Sequence, residues 1–246
     1  MNDVTDAKTP LLSRVPGFDP RAVPVVADDA FLPPVPGDRL VAEALRRRLA
    51  QPPERWQPER IDDQFRIRPG GLRPASVLVP IILHETPTVL LTQRTSHLHD
   101  HAGQVAFPGG RRDPQDVDAV DTALRETHEE IGLPRERVDV IGHLPDYHTG
   151  TGYRVTPVVA LVEPGFELEL DAFEVEAAFE VPLHWLMDPA SHRLHRHDFG
   201  DGQQRTFWSM AWRERPGGAS VASGREFFIW GATAAMLRNL YRLLAA

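Results

Sequence analysis

Three glutamates, Glu126, Glu129 and Glu130, stand within Arg125-Glu126-Thr127-His128-Glu129-Glu130-Ile131-Gly132-Leu133, about one helix length after Phe107-Pro108-Gly109-Gly110. Residues three and four apart share a helix face. A helix here therefore projects the three carboxylates to one side, and Leu124, Thr127 and Ile131 to roughly the opposite side, where they can pack on a sheet. Clustered carboxylates repel one another, and burial raises their pKa values. A hard cation relieves that repulsion, and Mg²⁺ and Mn²⁺ prefer oxygen ligands. Arg125 can pair with Glu129 at i,i+4 and hold it. Asp116, near the expected helix start, can cap backbone N–H groups. Gly109 and Gly110 admit backbone angles closed to other residues and allow close approach, so a main-chain carbonyl can join a metal shell. Arg-Glu-x-x-Glu-Glu alone is the pattern of a solvated helix face. The Phe-Pro-Gly-Gly before it turns the reading to a divalent-metal site built to hold a diphosphate.

These residues resemble the Nudix signature: Gly, five residues, Glu, seven residues, then Arg-Glu-x-x-Glu-Glu-x-Gly and an apolar residue. Gly110 begins it and Arg125 to Leu133 complete it. Asp116 stands where the signature has Glu, and eight residues rather than seven separate it from Arg125. Both departures resemble the coenzyme A pyrophosphatase branch of the Nudix hydrolases. That branch carries a second motif upstream, matched here by Leu90, Leu91, Thr92, Arg94, Gly103 and Phe107 to Gly110. The chain differs from it at Thr95, where Ser or Ala is usual, and at His99, where Arg is usual. The resemblance covers roughly residues 72 to 245.

The resemblance implies an α/β fold, a Nudix-type α/β/α sandwich with a mixed sheet, and an enzyme, a diphosphatase using Mg²⁺ or Mn²⁺. It implies hydrolysis of coenzyme A or acyl-CoA to 3′,5′-ADP and (acyl-)4′-phosphopantetheine. Glu126 and Glu130 are the first metal ligands, Glu129 is a ligand or the base, and Gly110 contributes its carbonyl. Arg94 and Arg111 are candidates for phosphate contacts, because a guanidinium matches phosphate oxygens in bidentate fashion; Gly109 lies against the substrate. Arg125 orients the glutamates. Two alternatives stay open: a Nudix pyrophosphatase for ADP-ribose, NADH or dinucleoside polyphosphates, and a non-catalytic nucleotide-binding module. All three glutamates are present, which favours an enzyme.

The wider chain sets bounds. Its 246 residues, 41% hydrophobic, suffice for one sizeable core or a core with an appendage. The absence of cysteine removes disulfides and thiolate metal sites. No apolar run has the length of a membrane span, and Met1 to Pro10 lacks the plan of a signal peptide; the expectation is a cytoplasmic protein. A net charge of −8 argues against non-specific nucleic-acid binding. The expected partner is a small nucleotide substrate.

Two regions must position the motif. Residues 1–70 read as a proline-rich extension, with a helix over residues 39–50 capped by Asp38 and striped by Leu40, Val41, Ala44, Leu45 and Leu49. That arm is expected to dock on its own core or on a second subunit in a homodimer. Residues 71–246 read as the Nudix domain: strands over 75–83, 88–93, 104–107, 138–144, 155–162 and 174–179, a helix over 117–131 stopped by Gly132, and a short helix over 182–187. A hairpin over 194–199 and 205–212 follows, then a final helix over 231–244 entered through residues 227–230. The stretch from Asp146 to Tyr153 reads as a loop that shapes a lid or makes a tight connection.

Other polar clusters carry less. His97-Leu98-His99-Asp100-His101 is one residue short of a His-x-His-x-Asp-His zinc pattern and reads as a polar loop over the site. His192, His195 and His197 read as surface residues. Glu174, Glu176 and Glu180 are candidates for an additional carboxylate near the metals.

Overall fold

Near-continuous apolar runs make the central strands, and the breaks between them place the site. The computed structural model describes residues 12, 18–59, 71–97, 102–200, 202–214 and 224–246. In chain order the elements are β1 (Val25–Asp28), α1 (Ala42–Ala50), β2 (Arg73–Ile82), β3 (Thr88–Arg94), β4 (Val105–Ala106), β5 (Gly109–Arg111), α2 (Ala119–Ile131), β6 (Val138–His143), β7 (Tyr147–His148) and β8 (Tyr153–Val162). They continue with β9 (Val175–Pro182), α3 (Leu183–Leu186), β10 (Arg193–Asp198), β11 (Gln204–Arg213), β12 (Glu226–Trp230) and α4 (Gly231–Ala245).

An eight-stranded mixed sheet runs β4-β3-β2-β8-β6, with β5 also on β2, β7 on β8 and β9 on β3. Strands β2 and β8 are parallel from Arg73–Tyr153 to Ile82–Val162. Strands buried on both faces read as unbroken apolar runs, and alternate residues of these two serve different cores. Val79, Ile81, Val159 and Leu161 enter a core that reaches α1, α4 and a second sheet. Leu78, Ile82, Val158, Ala160 and Val162 enter another, closed by Ala123 and Ile131 of α2. This is the expected α/β layering. Among the described residues no helix is long and apolar enough to cross a membrane.

The second sheet is four-stranded, in the order β1-β10-β11-β12. The hairpin foreseen from the sequence is its centre, with Leu194 opposite Trp208. Residues 226–230 add a strand before the last helix. The arm departs from expectation: it supplies strand β1, antiparallel to β10, with Asp28 opposite Arg193. Prolines flank Val25–Asp28 without interrupting it, so its N–H groups remain able to pair.

Helix α1 begins at Ala42; Gly37–Arg39 forms a separate 3₁₀ turn, and Asp38 caps nothing. Leu40, Leu45 and Leu49 are buried in the same core as the sheet, whereas Val41 is 50% exposed. The arm helix thus packs on its own chain. Residues 60–70, beside the expected boundary at 70/71, lie outside the described residues, as do His99 and His101.

Buried histidines correct the surface assignment. His192 and His195 are buried, because β1 and α4 cover the hairpin that a sequence reading leaves open. His195 lies between the Val23 carbonyl (2.8 Å) and Ser209 Oγ (2.7 Å). His192 Nε2 donates to the Leu186 carbonyl at 2.9 Å, and its Nδ1 accepts from Arg238 at 3.1 Å. A carbonyl only accepts and a guanidinium only donates, so the two partners select the neutral tautomer. Burial, first, and the nearby Arg238 lower the His192 pKa from 6.5 to about 4, against the Leu186 hydrogen bond and the carboxylates of Asp188 and Asp29.

Stability linked to His192 is therefore fully present above about pH 6.5 and is lost as pH falls toward about 4, because only the unfolded chain takes up the proton there. The loss amounts to about 3 kcal/mol. Chemical denaturation at pH 7 and pH 4.5 is expected to show this difference shrinking in His192→Gln. An unchanged pH dependence in that variant would refute the assignment.

Candidate active site

Helix α2 is held at both ends. The Asp118 side chain, not that of Asp116, caps its start by accepting the Asp121 N–H at 2.9 Å. Gly132, at φ 68°, ends it and donates to the His128 carbonyl at 2.9 Å. Ala123, Thr127, Glu130 and Ile131 face the sheet and are buried. Glu130 thus departs from the single carboxylate face expected of it. It lies between the direction of Glu126 and that of Thr127, and the sheet covers it. Glu129 stays exposed, with 58% of its side chain accessible.

Asp116 has a different task from capping. Its buried carboxylate takes a two-pronged contact from Arg125, Nε to Oδ1 at 2.8 Å and NH2 to Oδ2 at 2.9 Å. It also accepts the Thr122 hydroxyl at 2.9 Å and the Asp113 N–H at 2.8 Å. Arg125, foremost, holds this carboxyl well below the usual range. The same guanidinium reaches Glu129 Oε2 at 2.8 Å, Glu126 Oε1 at 3.0 Å and the Arg111 carbonyl at 3.2 Å. Arg125 is therefore anchored from below and orients two of the three glutamates.

The glycine turn is shaped by close approach. Strand β5 pairs with β2, Gly109 opposite Val77 and Gly110 opposite Ser76. Gly109 has φ 146°, and a Cβ there would overlap the Ser76 backbone; at Gly110 a Cβ would overlap the Glu126 carboxylate. At Gly109 the overlap is with the backbone of β2 at a positive φ, so glycine is required there, whereas at Gly110 the overlap is with a side-chain end that can move aside. The Gly109 N–H donates to Glu130 Oε2 at 3.0 Å. Arg94 at the end of β3 lies 3.8 Å from Glu130 and 3.9 Å from Glu174.

A cavity of about 730 Å³ opens over this turn and is lined by Arg94, Gly109, Gly110, Arg111, Glu126, Glu129 and Glu130. The candidate residues meet there, with Arg125 behind Glu126 and Glu129. Of the three further carboxylates, Glu174 lines the cavity. Glu176 pairs with Arg225 at 2.6 Å, and Glu180 with His84 at 2.8 Å. The Asp146-to-Tyr153 stretch contains strand β7, and its Tyr147, Thr149 and Tyr153 also line the cavity. The wall contributed by β11, β12 and α4, including Phe207 and Trp230, escaped the sequence reading. Its one local signal was the aromatic content of those strands. His97 instead packs against Phe173, with ring centroids 5.0 Å apart.

Among the described residues no three His, Asp or Glu side chains converge on one point at ligand spacing; Arg125 draws Glu126 and Glu129 together instead. The donor set nevertheless suits a hard cation. Desolvation, chiefly, raises the pKa of Glu126, and it raises that of Glu130 to about 7 against the Gly109 hydrogen bond and Arg94. Two desolvated carboxylates beside a glycine strand gain from added positive charge.

The mixed sheet, the glycine turn and the helix carboxylates define a Nudix hydrolase. Residues 72–200 match the NUDIX domain family, and the chain belongs to it. It is 41% identical over 169 residues to the Uncharacterized Nudix hydrolase NudL of Escherichia coli (strain K12), covering 68% of this chain and 81% of that protein. The protein of the same description from Enterobacter sp. (strain 638) is 40% identical over 168 residues, with the same coverage. Among solved structures, a C. elegans Ap4A hydrolase in a binary complex is 23% identical over 44% of this chain and 80% of that one, with a TM-score of 0.39. The chain is thus a hydrolase of diphosphate-containing substrates, in a family that generally uses divalent ions such as Mg²⁺ or Mn²⁺.

Proposed function

We propose that the substrate is coenzyme A or an acyl derivative, cleaved to 3′,5′-ADP and 4′-phosphopantetheine or its acyl form. One observation carries the reading: Thr92, Arg94, Gly109 and Gly110 of the upstream motif line the same cavity as the helix glutamates. Water attacks one phosphorus of the diphosphate, the bridging P–O bond breaks, and two phosphomonoesters leave. A bound divalent ion supplies positive charge against the diphosphate oxygens and acidifies water.

Glu126, Glu130 and the Gly110 carbonyl would hold that ion. Glu129, exposed at the rim, serves as a further ligand or takes the proton from water. Arg94 and Arg111 present guanidinium donors to phosphate oxygens, and the Gly109 N–H fixes Glu130. Arg125 is a positioning residue, because it acts through Glu126 and Glu129.

Incubation with coenzyme A and Mg²⁺ or Mn²⁺ is expected to yield 3′,5′-ADP by mass spectrometry, and none with chelator. Rapid cleavage of ADP-ribose with coenzyme A left intact would overturn the substrate assignment.

A further inference from the structure

Strand register carries the cavity beyond the glutamates. Alternate side chains of a strand share a face, and Ala75 and Val77 of β2 line the cavity. Arg73 is the next residue of that row. Ala75 stands opposite Arg111 of β5 and Val155 of β8, and Arg73 opposite Tyr153 of β8. Arg111, Tyr153 and Val155 also line the cavity. Arg73 therefore sits at the cavity rim, roughly 7 Å along the strand from the row that holds Arg111.

Arg73 is held in place without being neutralised. Its guanidinium lies over the Tyr153 ring, 4.1 Å from the centroid. A guanidinium stacked on a ring keeps its N–H donors at its edge. One of them reaches the Thr151 carbonyl at the long distance of 3.4 Å. The backbone beneath is closed, with the Arg73 N–H donating to the Gly152 carbonyl at 3.0 Å and the Thr149 N–H to the Tyr153 carbonyl at 2.8 Å. Among the described residues no carboxylate pairs with Arg73. Arg94, by contrast, faces Glu130 and Glu174, and Arg125 is taken up by Asp116, Glu126 and Glu129. In a chain of net charge −8, a cation with no carboxylate at the rim of a glutamate-lined cavity suits an anionic group of the ligand.

The diphosphate has its partners nearer the glutamates, so Arg73 calls for a second anion. Coenzyme A carries one, a phosphate on the ribose 3′ oxygen, one sugar away from the diphosphate. A phosphomonoester is close to doubly charged at neutral pH. Resting on the coenzyme A reading above, we propose that Arg73, stacked on Tyr153, binds this 3′-phosphate, and that coenzyme A is cleaved in preference to dephospho-coenzyme A. ADP-ribose and NADH have no such phosphate, so the same contact selects against them. A charge-assisted hydrogen bond to phosphate at a partly solvated rim is expected to be worth about tenfold in kcat/KM.

The test compares coenzyme A with dephospho-coenzyme A as substrates for the wild type, Arg73→Gln and Arg73→Lys. The wild type is expected to favour coenzyme A, and the preference to shrink at high salt. Arg73→Gln should bring the kcat/KM ratio toward one by lowering the value for coenzyme A. Arg73→Lys keeps the charge without the fork and should retain part of the preference. A role confined to holding the Tyr153 turn would lower both substrates alike and would overturn the proposal. Calorimetry in chelator with adenosine 3′,5′-bisphosphate and AMP reads the subsite without turnover. Tighter binding of the bisphosphate to the wild type, lost in Arg73→Gln, supports the subsite even if coenzyme A is not cleaved, in which case only the substrate assignment falls. Should Arg73→Gln fail to fold, Arg73→Lys and the wild-type comparison of the two nucleotides decide. Equal cleavage of coenzyme A and dephospho-coenzyme A, equal binding of the two nucleotides, or a ratio untouched by Arg73→Gln would likewise overturn it.

Discussion

Glu130→Gln is expected to lower kcat at least a hundredfold at saturating Mg²⁺ while leaving the fold intact. Glutamine matches glutamate in size and helix preference, so packing against the sheet survives. Its amide oxygen can still accept the Gly109 N–H, which now reaches Glu130 at 3.0 Å. What is lost is the negative charge, and a neutral amide is a poorer ligand for Mg²⁺. Losing charge stabilisation at a reacting phosphoryl group removes several kcal/mol, and each ~1.4 kcal/mol is about tenfold in rate. Desolvation raises the pKa of this carboxyl to about 7, so the variant is also expected to melt higher than the wild type in chelator. Glu176→Gln, which alters a carboxylate paired with Arg225 away from the cavity, should do neither. Near-full activity of Glu130→Gln with normal metal affinity would refute the assignment of Glu130 as a metal ligand.

Arg238→Ala is expected to destabilise the fold by about 3 kcal/mol, the cost of breaking a largely buried ion pair. Arg238 is 2% exposed, donates to Glu59 Oε2 at 3.0 Å and pairs with the Asp29 carboxylate. Its guanidinium also lies over the rings of Trp208 (4.4 Å) and Tyr241 (5.2 Å). The substitution leaves both carboxylates without their cation and opens the seam between the arm and α4. For a chain of this size the melting temperature should fall by roughly 10 °C. Turnover should also suffer, since Trp208 lines the cavity and its Nε1 donates to Glu59 at 3.1 Å. A melting curve within about 2 °C of the wild type would show that the arm is held by other contacts.

Local chemistry was legible in the sequence, because its parts are close along the chain. The glycine turn, α2 and its stop at Gly132 lie within one strand–turn–helix unit, so the motif and its spacing led to the expectation that Gly110, Glu126, Glu129 and Glu130 lie close together, and all four line the cavity. Unbroken apolar runs likewise marked β2 and β8 as buried strands, since a strand covered on both faces has no polar side. Most of the remaining placements needed partners distant in sequence. Which glutamate is buried depends on β5 pairing with β2, which brings the Gly109 N–H to Glu130. Asp116 was read as a cap because proximity to a helix start is a local cue, whereas its pairing with Arg125 nine residues on is set by the folded turn. Glu174 was inseparable from Glu176 and Glu180 until β9 paired with β3 and set Glu174 beside Arg94. His192 and His195 looked exposed because polar residues on a hairpin normally face water; β1 and α4, far away in the chain, cover them. The cavity wall opposite the glutamates likewise joins β4, β11, β12 and α4, with Arg205 and Thr206 beside Phe207 and Trp230. Periodicity shows that such strands have a face to bury, but only tertiary packing decides that this face borders a cavity.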